Sequence, residues 1–589
     1  MQLANRVTFN HLRGDLFGGI TAAIVALPMA LAFGVSSGAG AIAGLYGAAI
    51  LGFFAALFGG TPTLISGPTG PMTVVMTAIV TSMTAKNPEN GLAMAFTVVM
   101  LAGIFQILFG ILKLGKYITL MPYTVISGFM SGIGVIMIIL QIGPFFGQAN
   151  PKGGIMPVFT SIPTFISNLN PAATALAALT LALLFLTPKK IRRLVPPQLL
   201  ALVIGTVIAA VFLQSPDYNL KFIGQIPMGL PKLQLPAFTV EQMTTMLVDG
   251  VMLGMLGCID SLLTSVIADS ITRTQHDSDK ELVGQGIGNL LSGLFGGLPG
   301  AGATMGTVVN IQAGGTTVLS GMLHAVVLFV IVLGAGGLTQ FIPQAVLAGI
   351  LVKVGIDIVD WNFLKRAHKL SFKAAAIMYG VLLLTVFVDL IVAVGVGVFV
   401  ANILTIQRLS DIQSDEVKAI THADDETPLS HEEKLLFKEA GGKILLLHLG
   451  GPMSFGAAKA ISQRQAIMED YKILILDISD VPILGVTATL ALESLIAEAK
   501  QKHLEVFIVG GTEKVRTRLE RFGILDRVPA NNLASSRLEA LHNAVSSLNG
   551  VTGESYVNNT NYVGVSEEND STPSTSEGKL DIDGTLTTK

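Results

Sequence analysis

The chain has 589 residues, 51% of them hydrophobic and only 13% charged, with a formal net charge of −3 and a mean hydropathy of +0.65. The apolar balance points to a polytopic membrane protein with a soluble part attached, while the near-neutral charge gives no sign of a nucleic-acid partner. A single cysteine, Cys258, rules out an intramolecular disulfide framework and a multi-cysteine zinc site; it lies in an apolar run, where packing is its expected role.

Residues 1–14 form a polar lead with Arg6, His11 and Arg13, and the apolar run behind it lacks a signal-peptidase pattern, so it is expected to stay as the first span. Runs at 16–35, 42–58, 69–84, 92–112, 118–140, 172–187 and 194–213 give about seven spans. Runs at 246–267, 282–295, 303–311, 317–333, 341–356, 372–386 and 390–406 give about seven more. Basic residues at Arg6 and Arg13, Lys113 and Lys116, 189–193, Arg273 with Lys280, and 365–369 all fall on one side if both ends of the membrane region are cytoplasmic. The Pro-rich loops 143–170 and 214–244 then lie outside. Two halves with odd numbers of spans insert upside down relative to each other, so repeats, if present, are inverted.

Two interruptions stand out. TPTLISGPTGPMT at 61–73 and GGLPGAGATMGT at 296–307 break apolar runs at comparable points of the two halves. In hydrocarbon, backbone freed by such a break must line a protein cavity or face a ligand. Either break alone is equally readable as a kink in a packing helix. As a pair they predict one site near the midplane, where two half-helix N-termini meet and favour an anion.

Beyond residue 407 the composition turns charged. A linker is expected at 408–440 and a small α/β domain at 441–550, with strands at 443–449, 472–477 and 504–509 alternating with helices at 455–468, 486–500 and 513–522. The Ser/Thr/Asn/acid-rich tail 551–589 is expected to be disordered, and its sequons at Asn558 and Asn569 to be unglycosylated on the cytoplasmic side.

Ionisable residues within spans are costly and are functional candidates. Asp260 and Thr264, four apart on one helix face, present hard oxygens suited to a cation; the alternative is a carboxylate buried against amides or held protonated. Asp269, Glu281, Asp357 and Asp360 lie near span ends, where solvated or capping roles are expected, and Asp389 reads as a cap. His324 reads as a packing histidine with satisfied nitrogens.

Pro28 with 30–33, Gly44-Leu45-Tyr46, Phe58-Gly59-Gly60-Thr61-Pro62 and Ser66-Gly67-Pro68 resemble the signature of the sulfate permease (SulP) family of anion transporters. The segment 299–310 resembles its second broken helix, and Leu476-Asp477-Ile478-Ser479 with Val481-Pro482 resembles a STAS domain. The resemblance implies a transport domain (15–407) of about 14 spans as 7+7 inverted repeats divided into core and gate domains. It also implies a cytoplasmic STAS domain, a homodimer with a STAS contribution, and a place in the bacterial inner membrane with both termini cytoplasmic. Within the family the chain resembles sodium-dependent bicarbonate transporters of cyanobacteria, which implies Na⁺/bicarbonate symport. Carried over, bicarbonate would sit at Thr69, Gly70 and Ala303, and sodium at Asp260, Thr264, Gly302, Ala303 and Thr304.

Two departures matter. Where many members carry an arginine in the second broken helix, this chain has Gly306, leaving helix N-termini worth about 1 to 2 kcal/mol as the only positive charge. A sodium ion held by Asp260 would supply the missing charge and favour a monovalent anion. In the STAS-like domain Thr487 occupies the hydroxyl position of phosphorylatable relatives, but the acidic neighbour is missing, so a scaffolding role is expected. Proton-coupled sulfate transport is the runner-up, and a sodium-independent channel or motor a third class. Nothing resembles an enzyme's nucleophile, metal cluster or nucleotide loop.

Overall fold

A computed structural model describes residues 4–118, 122–151, 155–192, 195–213, 215–224, 230–388, 390–422 and 429–550. Arg193, Asp389 and the tail with Asn558 and Asn569 lie outside the described residues. The chain divides into two compact units, Met1–Thr405 and Ile406–Lys589.

The first unit opens with α1 (Leu12–Ser36), α2 (Ala41–Phe58), a two-residue strand β1 (Ser66–Gly67), α3 (Gly70–Lys86), α4 (Gly91–Ile111), α5 (Tyr123–Phe145), α6 (Pro171–Leu186) and α7 (Pro197–Phe212). Its second set is α8 (Val240–Thr272), α9 (Ser278–Leu294), β2 (Ala301–Gly302), α10 (Thr304–Gln312), α11 (Val318–Ala335), α12 (Gln344–Ile358), α13 (Phe372–Phe387) and α14 (Leu390–Asp415). Among the described residues, six helices are long and apolar enough to cross a bilayer, and four shorter apolar helices accompany them. With the half-helices α3 and α10 and the less apolar α9 and α12, they make up the architecture of ~14 spans in two inverted sets of seven.

The inversion is visible in the packing. The end of α10 reaches the start of α1, where a Cβ on Gly14 would stand 2.2 Å from the Gly314 carbonyl oxygen. In contrast α3 runs to the other end of α1, where Thr77 donates to the Ser36 carbonyl at 3.3 Å. So the two half-helices diverge from a common middle. Helices α1 to α4 pack with α8 to α11 as a core, and α5 to α7 pack with α12 and α13 as a gate.

Boundaries move where local chemistry overrides hydropathy. The run expected at 118–140 becomes α5 at Tyr123–Phe145, because Pro122 takes the N-cap position that its missing N–H suits. Helix α14 continues through the charged residues up to Asp415, since Gln, Arg and Leu are good helix formers in water as well as in lipid.

The second unit holds a five-stranded sheet in the order β3 (Val417–Ile420), β4 (Ile444–Gly450), β5 (Ile473–Asp480), β6 (Glu505–Val509) and β7 (Leu533–Ala534). Strand β3 pairs antiparallel to β4 and lies within the stretch read as linker; the remaining pairs are parallel. Helices α15 (His431–Glu439), α16 (Phe455–Arg464), α17 (Val486–Gln501), α18 (Glu513–Arg521) and α19 (Arg537–Leu548) cover both faces. Burial on both faces is why β4 and β5 read as nearly unbroken apolar runs. Thr487 is exposed in the first turn of α17.

Candidate functional site

The two breaks meet. Strands β1 and β2 pair antiparallel with Ser66 opposite Gly302 and Gly67 opposite Ala301. The approach is backbone on backbone: a Cβ on Gly300 would lie 2.1 Å from the Gly67 carbonyl oxygen. Within three residues each strand becomes a helix, α3 with N-cap Thr69 and α10 with N-cap Ala303. Neither N-cap side chain bonds its own helix. Both tips therefore present N–H groups and the positive end of the helix dipole to the space between them.

Thr69 is turned elsewhere. Its Oγ1 donates to Asp260 Oδ2 at 2.7 Å, tying the first half-helix to the middle of α8. Asp260 is only 8% exposed. One turn on, Thr264 Oγ1 donates to the Gly302 carbonyl at 2.9 Å and stands 2.8 Å from Thr304 Oγ1. Ser261 Oγ accepts from the Gly302 N–H at 3.1 Å, and Ser265 Oγ meets Thr61 Oγ1 at 2.8 Å. One face of α8 thus follows the crossing residue by residue. The structure brings Thr69, Gly70, Asp260, Thr264, Gly302, Ala303 and Thr304 to this one place. Thr304 and Met305 are exposed beside it.

Behind the crossing lies a polar stripe that the sequence reading did not single out. Gly60 and Thr61 donate their N–H groups to Glu281 at 2.9 and 2.8 Å, so this acid does cap backbone, though at 1% exposure it is not solvated. Gln285 Nε2 donates to Glu281 at 2.8 Å and to Ser66 Oγ at 2.6 Å. Asn289 donates to the Gly300 carbonyl at 2.9 Å and accepts from its N–H at 2.8 Å. Glu281, Gln285 and Asn289 recur every fourth residue on α9, and that spacing of polar residues within an apolar run was the available signal. Gly306 faces Ile65; a Cβ there would meet Ile65 Cγ2 at 3.1 Å.

Other candidates resolve into structural roles. Asp360 caps the short helix Trp361–Leu370 and accepts from Tyr123 and Ser127 at 2.7 Å each. Asp269 pairs with His276 at 2.6 Å, and Asp357 with Lys353. Cys258 packs with Leu262 and Leu282. His324 is the correction: it is 1% exposed, but neither ring nitrogen has a hydrogen-bond partner among the described residues, because α11 passes the glycine-rich faces of α1 and α2, which offer it no side-chain partner.

Paired broken helices with tips at a shared crossing define a membrane transporter of the inverted-repeat class. The model of the Sulfate permease family matches residues 12–381, and that of the STAS domain residues 438–540. The chain belongs to the sulfate permease family and carries a STAS domain. It is 60% identical over 547 residues to the bicarbonate transporter BicA of Picosynechococcus sp., covering 92% of this chain and 97% of that one. Among solved structures, the transmembrane domain of a cyanobacterium bicarbonate transporter BicA is 63% identical with a TM-score of 0.64, over 67% of this chain and all 100% of that one. SLC26A9, at 19% identity, shares the fold with a TM-score of 0.80 over 92% of each chain.

Proposed function

We propose that this chain takes up bicarbonate across the bacterial inner membrane in symport with sodium, both termini being cytoplasmic. The observation that carries it is the β1–β2 crossing, which sets two uncapped helix tips against one buried carboxylate. Bicarbonate is held at Thr69, Gly70 and Ala303, where the backbone N–H groups of the two helix tips suit a small planar oxyanion. The donor set for sodium is Asp260, Thr264, Thr304 and the carbonyl oxygens at Gly302 and Ala303, hard oxygens with a single negative charge. The 60% identity to a bicarbonate transporter supports the choice of anion. A homodimer is the proposed assembly, with the STAS unit contributing to it.

Labelled bicarbonate and sulfate uptake into proteoliposomes under imposed sodium or proton gradients tests this. Asp260→Asn is expected to abolish sodium stimulation, and unchanged stimulation removes Asp260 from the coupling site. Proton-coupled sulfate transport is the second reading, favoured by the near-complete burial of Asp260, which suits a carboxylate that cycles through its neutral form. Bicarbonate uptake driven by a proton gradient alone would select proton coupling.

A further inference from the structure

A cavity of ≈ 770 Å³ opens beside the anion site, between the half-helix α10 and the gate. One wall is Met305, Val309 and Gln312 of α10; the other includes Arg192, Lys353 and Asp357. These three are the only charged groups among the described lining residues. Lys353 Nζ lies 2.6 Å from Asp357 Oδ2, one turn further along α12, and 5.1 Å from the centre of the Phe185 ring. The ammonium is thus held toward the cavity, with side-chain exposures of 19% for Lys353 and 40% for Asp357. Arg192 Nη2 is anchored to the Leu184 carbonyl at 3.4 Å. Two cations and one anion leave a net charge of one positive, facing a half-helix that carries no charged residue of its own from Thr304 to Gln312.

We propose that this cavity is the anion's route to the half-helix site from the side of the basic 189–192 segment, and that Lys353, tempered by Asp357, is its valence filter. A single net positive charge in a low-dielectric wall concentrates a monovalent anion but leaves a divalent one half compensated. Asp357 sets that balance: without it the wall carries two net charges and matches sulfate. Lys353 and Asp357 are specificity-determining residues here. The filter rests on the bicarbonate assignment for its substrate but not for its electrostatics.

Two measurements on the full chain test it. In proteoliposomes, Asp357→Asn is expected to make sulfate inhibit bicarbonate uptake at about five- to tenfold lower concentration, and Lys353→Gln to weaken inhibition by sulfate. In detergent, Gln312→Cys is expected to react faster with a negatively charged methanethiosulfonate than with a positively charged one, and Lys353→Gln to cut that ratio about five- to tenfold. Cys258 is buried and sets the background. Equal reactivity toward both reagents, with or without Lys353, overturns the filter, as does unchanged sulfate inhibition in Asp357→Asn. The labelling ratio needs no transport. If it holds while the unsubstituted protein carries no bicarbonate, the substrate assignment fails and the filter stands.

Discussion

His324 places two ring nitrogens in the packing of α11 against α1 and α2, and among the described residues neither has a hydrogen-bond partner. Leaving a buried polar group unsatisfied costs about 1–3 kcal/mol, so a packing-only role makes His324→Leu neutral or stabilising. The expected outcome is an unchanged or higher melting temperature with uptake retained. Loss of uptake at unchanged melting temperature would instead give the imidazole a part in transport. At Gly306 the contact with Ile65 sets the expectation: Gly306→Arg forces Ile65 aside and is expected to lower uptake of bicarbonate and sulfate alike, since the guanidinium has no prepared space. Asp260 and Thr264 were legible because an acid in an apolar run is costly and therefore conspicuous. Gln285 and Asn289 were not, because neutral amides barely dent a hydropathy profile although they bond both arms of the crossing.

The elements that matter most are the shortest. Prolines and glycines showed where α3 and α10 must begin, but that β1 and β2 pair with each other, and in which register, is a long-range contact that local sequence does not encode. Gly300 is the position where that register is enforced. Gly300→Ala sets a methyl 2.1 Å from the Gly67 oxygen, a backbone atom that cannot swing away, and is expected to cost several degrees of melting temperature together with uptake. Gly380→Ala in α13, with nothing within 4 Å of the added methyl, is the matched control and is expected to be neutral or slightly stabilising. Equal effects of the two substitutions would mean that close approach at the crossing is not what Gly300 provides. In the second unit the buried parallel strands were readable from their apolar runs, whereas β3 and β7, at four and two residues, are too short to carry a pattern.

For the molecule as a whole, one group in the second unit ties stability to acid. In the STAS unit, burial pushes the Asp477 carboxyl up, but hydrogen bonds from His448 and Ser479 and the Arg537 guanidinium outweigh it and hold the group at about 2, below its ordinary 3.8. A depressed carboxylate stabilises the fold above its ordinary value and loses that contribution as pH falls from about 4 towards 2, here about 2 kcal/mol. In urea unfolding of a fragment spanning 406–550, the gap between the unsubstituted fragment and Asp477→Asn is expected to shrink by about half or more between pH 6 and pH 2.5. A gap independent of pH would show that the carboxylate charge is not what is being lost.

The amide stripe on α9 carries the larger consequence. Gln285 grips one arm of the crossing at Ser66 and Asn289 the other at Gly300, so a single helix clasps both. A cradle built that way has no soft joint at which its two tips can separate. On the proposed reading of this site, the cargo would be ferried, not handed on: it would meet the same atoms at departure and at arrival, and directional bias would come from the gradients outside, not from a pocket that changes its grip.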